Sequence, residues 1–518
     1  MITSVFFRTS RTTLDSLFPY FYKALVSAAH LAAGGLWTKS TENSGMRYLI
    51  CFLCLIFVGT VSLPISAQTP FAVEDATLEA HTDNTDNTDN TDADAEADPY
   101  TIRSRSSETL VDQDSGAGKG KTGALPEWWV PPPSDGKLEL LFGAGTLKAS
   151  GTLSILTVNG TQRSFVPWSP LFLLPPSPFG LDTSTFEMHA RQSSFQLLYD
   201  GPQIEGWKMG ALTKLYMSNS SLTSDTYGVL PIVAFGEMKN DDWRFAIGLQ
   251  PDLFAPRDPG VIPMTLMGGA GNAGTFRGQI RLERFWTPSE ESQATLQAAL
   301  SDPISTVLLD ATRRTTEANG LPNLEIRGVL GLGAKEELVG GRTERPVELG
   351  IAGLAGQIRN TQNVFDLDDI NPNIPVRSII NVAGLSVDGK MNLTGNTGLI
   401  AEGYVGQGLG NYAGNIFQTY HPETYAVIRG RGGFLELFHY WNDRLQVHVG
   451  YGVEGPLRQD LPAVGTGILK NSAYFASMFC DITKFLQYSF QVDYRHTDYV
   501  TLNDNRGFVF YNQFVMRY

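Results

Sequence analysis

Arg277, Arg281 and Glu283 are spaced four and two residues apart, so in a β-strand they share one face. Arg244 occupies the polar face of an earlier alternating segment. Between these segments runs Pro251 to Thr275, rich in proline and glycine and carrying Asp252, Arg257 and Asp258. Cations and carboxylates gathered around a narrow aqueous passage sort ions by charge, which is selection rather than bond-making chemistry. A connection of this length without secondary structure of its own is usually functional, and the expectation is that it folds inward as a constriction. The other reading is an external flap with its charges solvated. Arginines lining a narrow eyelet would favour anions even in an acidic chain, because the local field dominates there.

Catalytic constellations are missing from the sequence. It contains no Gly-x-Ser-x-Gly, no His-Glu-x-x-His and no paired Cys motif. His448 shares a face with Gln446 and reads as a hydrogen-bonded wall histidine. Asp366, Asp368 and Asp369 cluster as calcium ligands do, but their spacing matches no EF-hand, which favours a solvated acidic loop. Ser115 to Thr122 imitates a phosphate-binding loop, with Ser115 where the first glycine is required, no strand before it and no helix after. The reading is therefore not an enzyme, with no cofactor and no metal.

The elements that must carry these residues announce themselves by period two. In Asn505 to Tyr518, Phe508, Phe510, Phe514, Met516 and Tyr518 share one face, broken only by Asn512. Val509, Tyr511, Gln513, Val515 and Arg517 share the other. Leu486, Tyr488, Phe490, Val492 and Tyr494 likewise oppose Gln487, Ser489, Gln491, Asp493 and Arg495. Trp243, Phe245, Ile247 and Leu249 oppose Arg244, Ala246, Gly248 and Gln250. Short turns at Gly201–Gly206, Lys239–Asp242, Thr287–Ser292, Trp441–Arg444 and Asp481–Lys484 alternate with long loops. These long loops lie near Ser218–Gly228, Pro251–Thr275, Ser301–Pro322, Gln357–Pro375, Gln407–Thr424 and Gly455–Lys470. Apolar-out, polar-in strands with short turns at one rim and long loops at the other describe a transmembrane antiparallel β-barrel. Counting from Thr146 gives about 16 strands, an even number that places both ends at the short-turn rim. A polar inner face then reads as a wet lumen, in which inward Gln491 should tolerate Arg while outward Phe490 or Val492 should not.

Composition agrees with an all-β membrane protein. Of 518 residues 18% are charged and 53 are glycine, and no apolar run of about 20 residues occurs after the N-terminal region, which excludes a helical span there. The cysteines are Cys51, Cys54 and Cys480, too few for a disulfide framework once the N-terminal pair is removed. Met46-Arg47-Tyr48, the apolar run Leu49 to Leu63 and a small-x-small exit before Gln68 describe a secretory signal over 46–67; a retained anchor is the weaker reading. Residues 1–45 precede this natural-looking start and read as a non-structural extension with Met46 as the initiator. Residues 68–133 hold 14 acidic against 4 basic residues, with a repeated Thr-Asp-Asn unit, and read as a disordered acidic periplasmic linker. The barrel domain is 134–518. The chain's net charge of −14 shows no basic surface for nucleic acid.

Several stretches resemble the DcaP-like family of outer-membrane porins. They are His189-Ala190-Arg191-Gln192-Ser193-Ser194; Gly271-Asn272-Ala273-Gly274 followed by Arg277 to Arg284; and Ala401-Glu402-Gly403-Tyr404-Val405-Gly406-Gln407-Gly408-Leu409-Gly410. With the terminal strand, the likeness covers roughly Phe186 to Tyr518. It implies a 16-stranded homotrimeric porin in the outer membrane, inserted by the barrel assembly machinery. A loop folded into the pore would pass small hydrophilic, mainly anionic solutes. The acidic linker departs from the heptad-patterned coiled coil that members of the family can carry. Two other readings stay open, an outer-membrane receptor or enzyme barrel and a secreted soluble β-protein; the latter needs its apolar faces covered by a second sheet.

Overall fold

The computed structural model describes residues 138–142, 145–177, 179, 184–218, 227–304, 316–360, 378–421, 424, 426–463 and 467–518. The extension, signal and linker expected over 1–133 lie outside the described residues. So do the phosphate-loop imitation and Asp366, Asp368 and Asp369.

Among the described residues, sixteen long antiparallel strands close into a barrel. They are β1 (Gly145–Gly160), β2 (Ser194–Ile204), β3 (Trp207–Tyr216), β4 (Leu230–Lys239), β5 (Trp243–Pro251), β6 (Phe276–Ser289), β7 (Ser292–Ser301) and β8 (Asn323–Leu332). The second half comprises β9 (Val347–Asn360), β10 (Ser378–Asn392), β11 (Thr397–Gln407), β12 (Arg429–Asn442), β13 (Leu445–Pro456), β14 (Ile468–Asp481), β15 (Leu486–Tyr499) and β16 (Asn505–Arg517). Closure is made by β16 against β1, from Thr152↔Arg517 to Gly160↔Val509. The lower half of β1 pairs with β2, and its upper half with the short strand Thr185–His189.

Turn chemistry explains the tight rim. Glu205 (φ 50°) and Gly206 (φ 84°) form the two-residue left-handed turn that matches strand twist in hairpins. Asn240 and Asn442 each accept two following backbone N–H groups on the side-chain oxygen, and Thr483 does the same with its hydroxyl. The first of the sixteen strands begins at this rim, at Gly145, and the last ends there, at Arg517; a short strand, Leu138–Phe142, pairs antiparallel with the start of β1.

The outer face is apolar. Ile280 is 49%, Ile351 61% and Leu385 60% exposed, while their inward neighbours Gln279, Ala352 and Ser386 are buried. A water-facing surface would not gather such side chains strand after strand; a lipid-facing one does. Trp243, Trp286 and Trp441 mark the tight-turn rim, with the Arg284 guanidinium over the first two rings (4.8 and 5.7 Å). Towards the other rim, the rings of Tyr451 and Tyr474 and of Tyr494 and Phe508 pack against each other at tilted angles. Asn512, the break in the aromatic face of β16, accepts the Tyr488 hydroxyl (3.0 Å) and so leaves no bare polar oxygen towards lipid.

The interior departs from the expected wet lumen. Three segments from the long-loop rim fold inside, residues 161–174, 252–275 and 408–421. Trp168, Leu171 and Phe172 meet Met264, Ile416 and Phe417 against Ile232, Ile468 and Tyr499. Phe254 and Tyr412 pack on the inward Leu354, Ile358, Ile380 and Val382. The inner wall of β9 and β10 is thus apolar towards the long-loop rim, where Gln357 and Asn381 on the other face reverse the usual alternation. A fourth insertion comes from the other rim. The connection after β8 carries a small hairpin, Glu336–Leu338 with Arg342–Glu344, whose Leu338 is buried. Arg342 sits over the Tyr440 and Phe438 rings (4.0 and 5.2 Å), and Glu344 pairs with Lys390 (2.8 Å).

Candidate functional site

Strands β5 and β6 set Arg244, Arg277, Arg281 and Glu283 on the inner face, as the alternation requires. The loop 252–275 between them turns inward against the wall. Of its residues only Pro256 and Asp258 escape full burial. Of the seven side chains expected at the constriction, Arg244, Arg281 and Glu283 meet, Arg277 meets Asp252 beside them, and Arg257 and Asp258 engage other partners.

Their electrostatics differ from the expectation of water-facing arginines. Arg244 and Arg281 are 1% exposed and Arg277 2%, and each finds an acid. Arg244 bridges Glu237 (2.5 Å) and Glu283 (2.7 Å). Arg277 donates to Asp252 (2.7 Å), to the Asp302 and Asn411 carbonyls (both 2.8 Å) and to the Thr275 hydroxyl, with the Tyr412 ring 3.7 Å beneath it. Arg281 donates to the Pro251 carbonyl and lies 3.8 Å from Glu283. Arg257 reaches back from the loop to Asp388 and Glu348 (both 2.9 Å), and Arg327 shares Asp388. Burial without a partner would be prohibitive for any of these ions, and each pairing offsets that cost. Asp258 accepts from Asn272 (3.1 Å) and lies within electrostatic reach of Tyr216 on the facing wall. Asp252, just past the end of β5, has its carboxyl pushed up to about 6 by burial, with the Arg277 guanidinium opposing the shift.

A set of inward acids holds the loop by its backbone. Leu253 N–H donates to Glu325 (2.7 Å), Arg257 N–H to Glu402 (2.7 Å), Gly260 N–H to Glu436 (2.5 Å) and Gly271 N–H to Glu454 (3.1 Å). These acids sit on β8, β11, β12 and β13. Ser386 on β10 and Gln491 on β15 take the amides of Ala255 (3.2 Å) and Ile262 (2.5 Å). Hydrogen bonds to charged acceptors contribute about 1.5–3 kcal/mol each. His448 joins the same set through Glu436 (Nδ1 to Oε1, 2.5 Å), and its ring lies against Gly260, where any Cβ would collide with it. None of these wall acids was singled out from the sequence. The available signal was a lone Glu at an inward position of an otherwise uncharged alternating strand, as Glu402 is in Ala401–Gly406. Outside the barrel, His496, Asp498 and Asp504 bring ligand-type atoms within 4.8 Å of one another, with Asp498 already 2.7 Å from His496.

No protein-family model and no curated protein matches the chain. Among solved structures, the outer membrane channel DcaP of Acinetobacter baumannii is similar over 72% of this chain and 98% of that one, with 12% identity and a TM-score of 0.54. An anion-selective porin from Comamonas acidovorans matches over 72% of this chain and all of that one, with 8% identity and a TM-score of 0.45. At 12% identity the first likeness speaks to architecture. The chain shares its fold with that outer-membrane channel.

Proposed function

We propose that the protein is an outer-membrane porin, a passive diffusion channel for small hydrophilic solutes. The observation that supports this most directly is a closed barrel with an apolar belt outside and a charged loop folded across its inside, between walls that carry both signs of charge. Such a barrel belongs in the outer membrane and reaches it through a signal segment and the barrel assembly machinery. In this reading it assembles as a homotrimer.

The expected preference for anions needs uncompensated arginines. Each of Arg244, Arg277 and Arg281 has a carboxylate within ion-pair distance, and Asp258 is the loop's one charged side chain that escapes burial. Charge selectivity is therefore weak in this proposal and is set by Asp258 and the wall opposite, not by the arginine cluster. Liposome swelling tests the reading. Vesicles holding the purified protein should admit sugars at rates that fall smoothly with size. Vesicles that stay impermeable to a monosaccharide while the protein is folded would refute it.

A further inference from the structure

Two of the buried carboxylates touch both inward loops at once. Glu325, 0% exposed, accepts the amides of Leu253 (2.7 Å) and Phe254 (3.3 Å) from the first loop and the Tyr412 hydroxyl (3.1 Å) from the second. Ser301 on the wall donates to it as well (2.6 Å). Glu454, 2% exposed, accepts the Gly271 amide (3.1 Å) from the first loop and the Ile416 amide (2.6 Å) from the second, together with the Tyr404 hydroxyl (2.7 Å). Each of these contacts brings a donor, and at each residue both oxygens are used. Only an ionised carboxylate is acceptor on both sides; a glutamine would turn its NH₂ against at least one donor. Between these two points the loops also touch directly, through Gly274 N–H to the Tyr412 carbonyl (2.5 Å), and Arg277 on the adjoining wall donates to the Asn411 carbonyl. Glu436 differs: it holds Gly260 of the first loop and His448 of the wall.

We propose that Glu325 and Glu454 are the positioning residues of the constriction, clamping loops 252–275 and 408–421 into a single body whose seat on the wall sets the width of the passage. The clamp deepens the porin reading and rests on it for its consequence, though not for its existence. Loss of either junction loosens both loops, and loss of the second adds less than the first, because the two share one task.

The test is amide hydrogen exchange by mass spectrometry on the full folded protein. Wild type is compared with Glu325→Gln, Glu454→Gln, the double variant and Glu436→Gln. Each junction variant should speed exchange about tenfold in both 252–275 and 409–417 while strand amides stay unchanged, since local opening reports local stability. Glu436→Gln should speed the first loop alone, and the double variant should fall short of the product of the singles. Exchange that quickens in only one loop for Glu454→Gln, or in neither, overturns the clamp. If Glu325→Gln does not fold, Glu454→Gln decides alone. The same proteins in planar bilayers should carry larger and noisier currents than wild type. A wild type that carries no current, with the exchange pattern intact, would sink the porin reading and leave the clamp standing.

Discussion

Replacing Arg277 by Met removes one half of a buried ion pair and leaves the other half in place. Asp252 keeps the Thr275 amide and hydroxyl (2.7 and 3.1 Å) but loses its only cationic partner among the described ion pairs. Two unit charges about 4 Å apart attract by about 4 kcal/mol at an effective dielectric near 20. That agrees with the cost of about 3–5 kcal/mol seen when one partner of a buried pair is deleted. The Asp302 and Asn411 carbonyls lose a donor too, so the loop bears most of the loss while the strands, paired along their length, bear little. Trypsin supplies the assay, because Arg257 is buried in the closed loop and becomes a cleavage site only when the loop opens. Cleavage in the fast-closing regime tracks the open population, and about 3–5 kcal/mol corresponds to roughly a 10²–10⁴-fold rise in rate. Asp252→Asn in the same background should recover part of the protection, since the unpaired charge goes with it. Were Arg277→Met cleaved no faster than wild type, with only its ion preference altered, the arginine would face water and the paired-constriction account would be wrong.

Phe490→Arg or Val492→Arg should damage assembly, since a cation facing lipid near the midplane costs about 2–4 kcal/mol; normal heat-modifiable migration of either would mean the strand phase is wrong. Gln491→Arg should fail as well, because Gln491 is 0% exposed and accepts the Ile262 amide, whereas Asp200→Asn, in a half-exposed pair with Lys208, should be harmless on the same gels. Asp252 is ionised at neutral pH and takes up a proton as pH falls through about 6, leaving the Arg277 charge uncompensated. Reversal potentials in dilute salt should therefore drift towards anions below that pH and stay flat in Asp252→Asn; a wild type with no drift would show that the pair does not feel the passage. N-terminal sequencing of the cellular product should begin near Gln68, and a product beginning at Met1 would refute the signal reading.

The strands were legible because one side of the wall meets lipid at almost every outward position. β16 and β15 repeat that contrast without interruption apart from Asn512, and the count of sixteen follows from it with both ends at one rim. Loop 252–275 was legible from its length and glycine content, and its burial follows from nearly a full row of inward acceptors. The acceptors themselves were not legible. Alternation says that Glu325, Glu402, Glu436 and Glu454 face inward, but not that backbone amides rather than water stand opposite. For the same reason Gln491 read as a tolerant lumen residue when it is a fully buried acceptor. The hairpin 336–344 escaped because what holds it, Phe438 and Tyr440, is about a hundred residues away and marked only by an aromatic pair on an inner face.

Passage of ions through the barrel is the property that makes the protein a porin. Purified protein added to a planar bilayer should give discrete conductance steps that grow in proportion to salt, with a permeability ratio between potassium and chloride close to unity in concentrated salt. In dilute salt the charge near Asp258 should tilt that ratio, because screening weakens over roughly 10 Å as ionic strength falls to 0.1 M and below. Folded, inserted protein that gives no steps at any salt concentration would contradict the account.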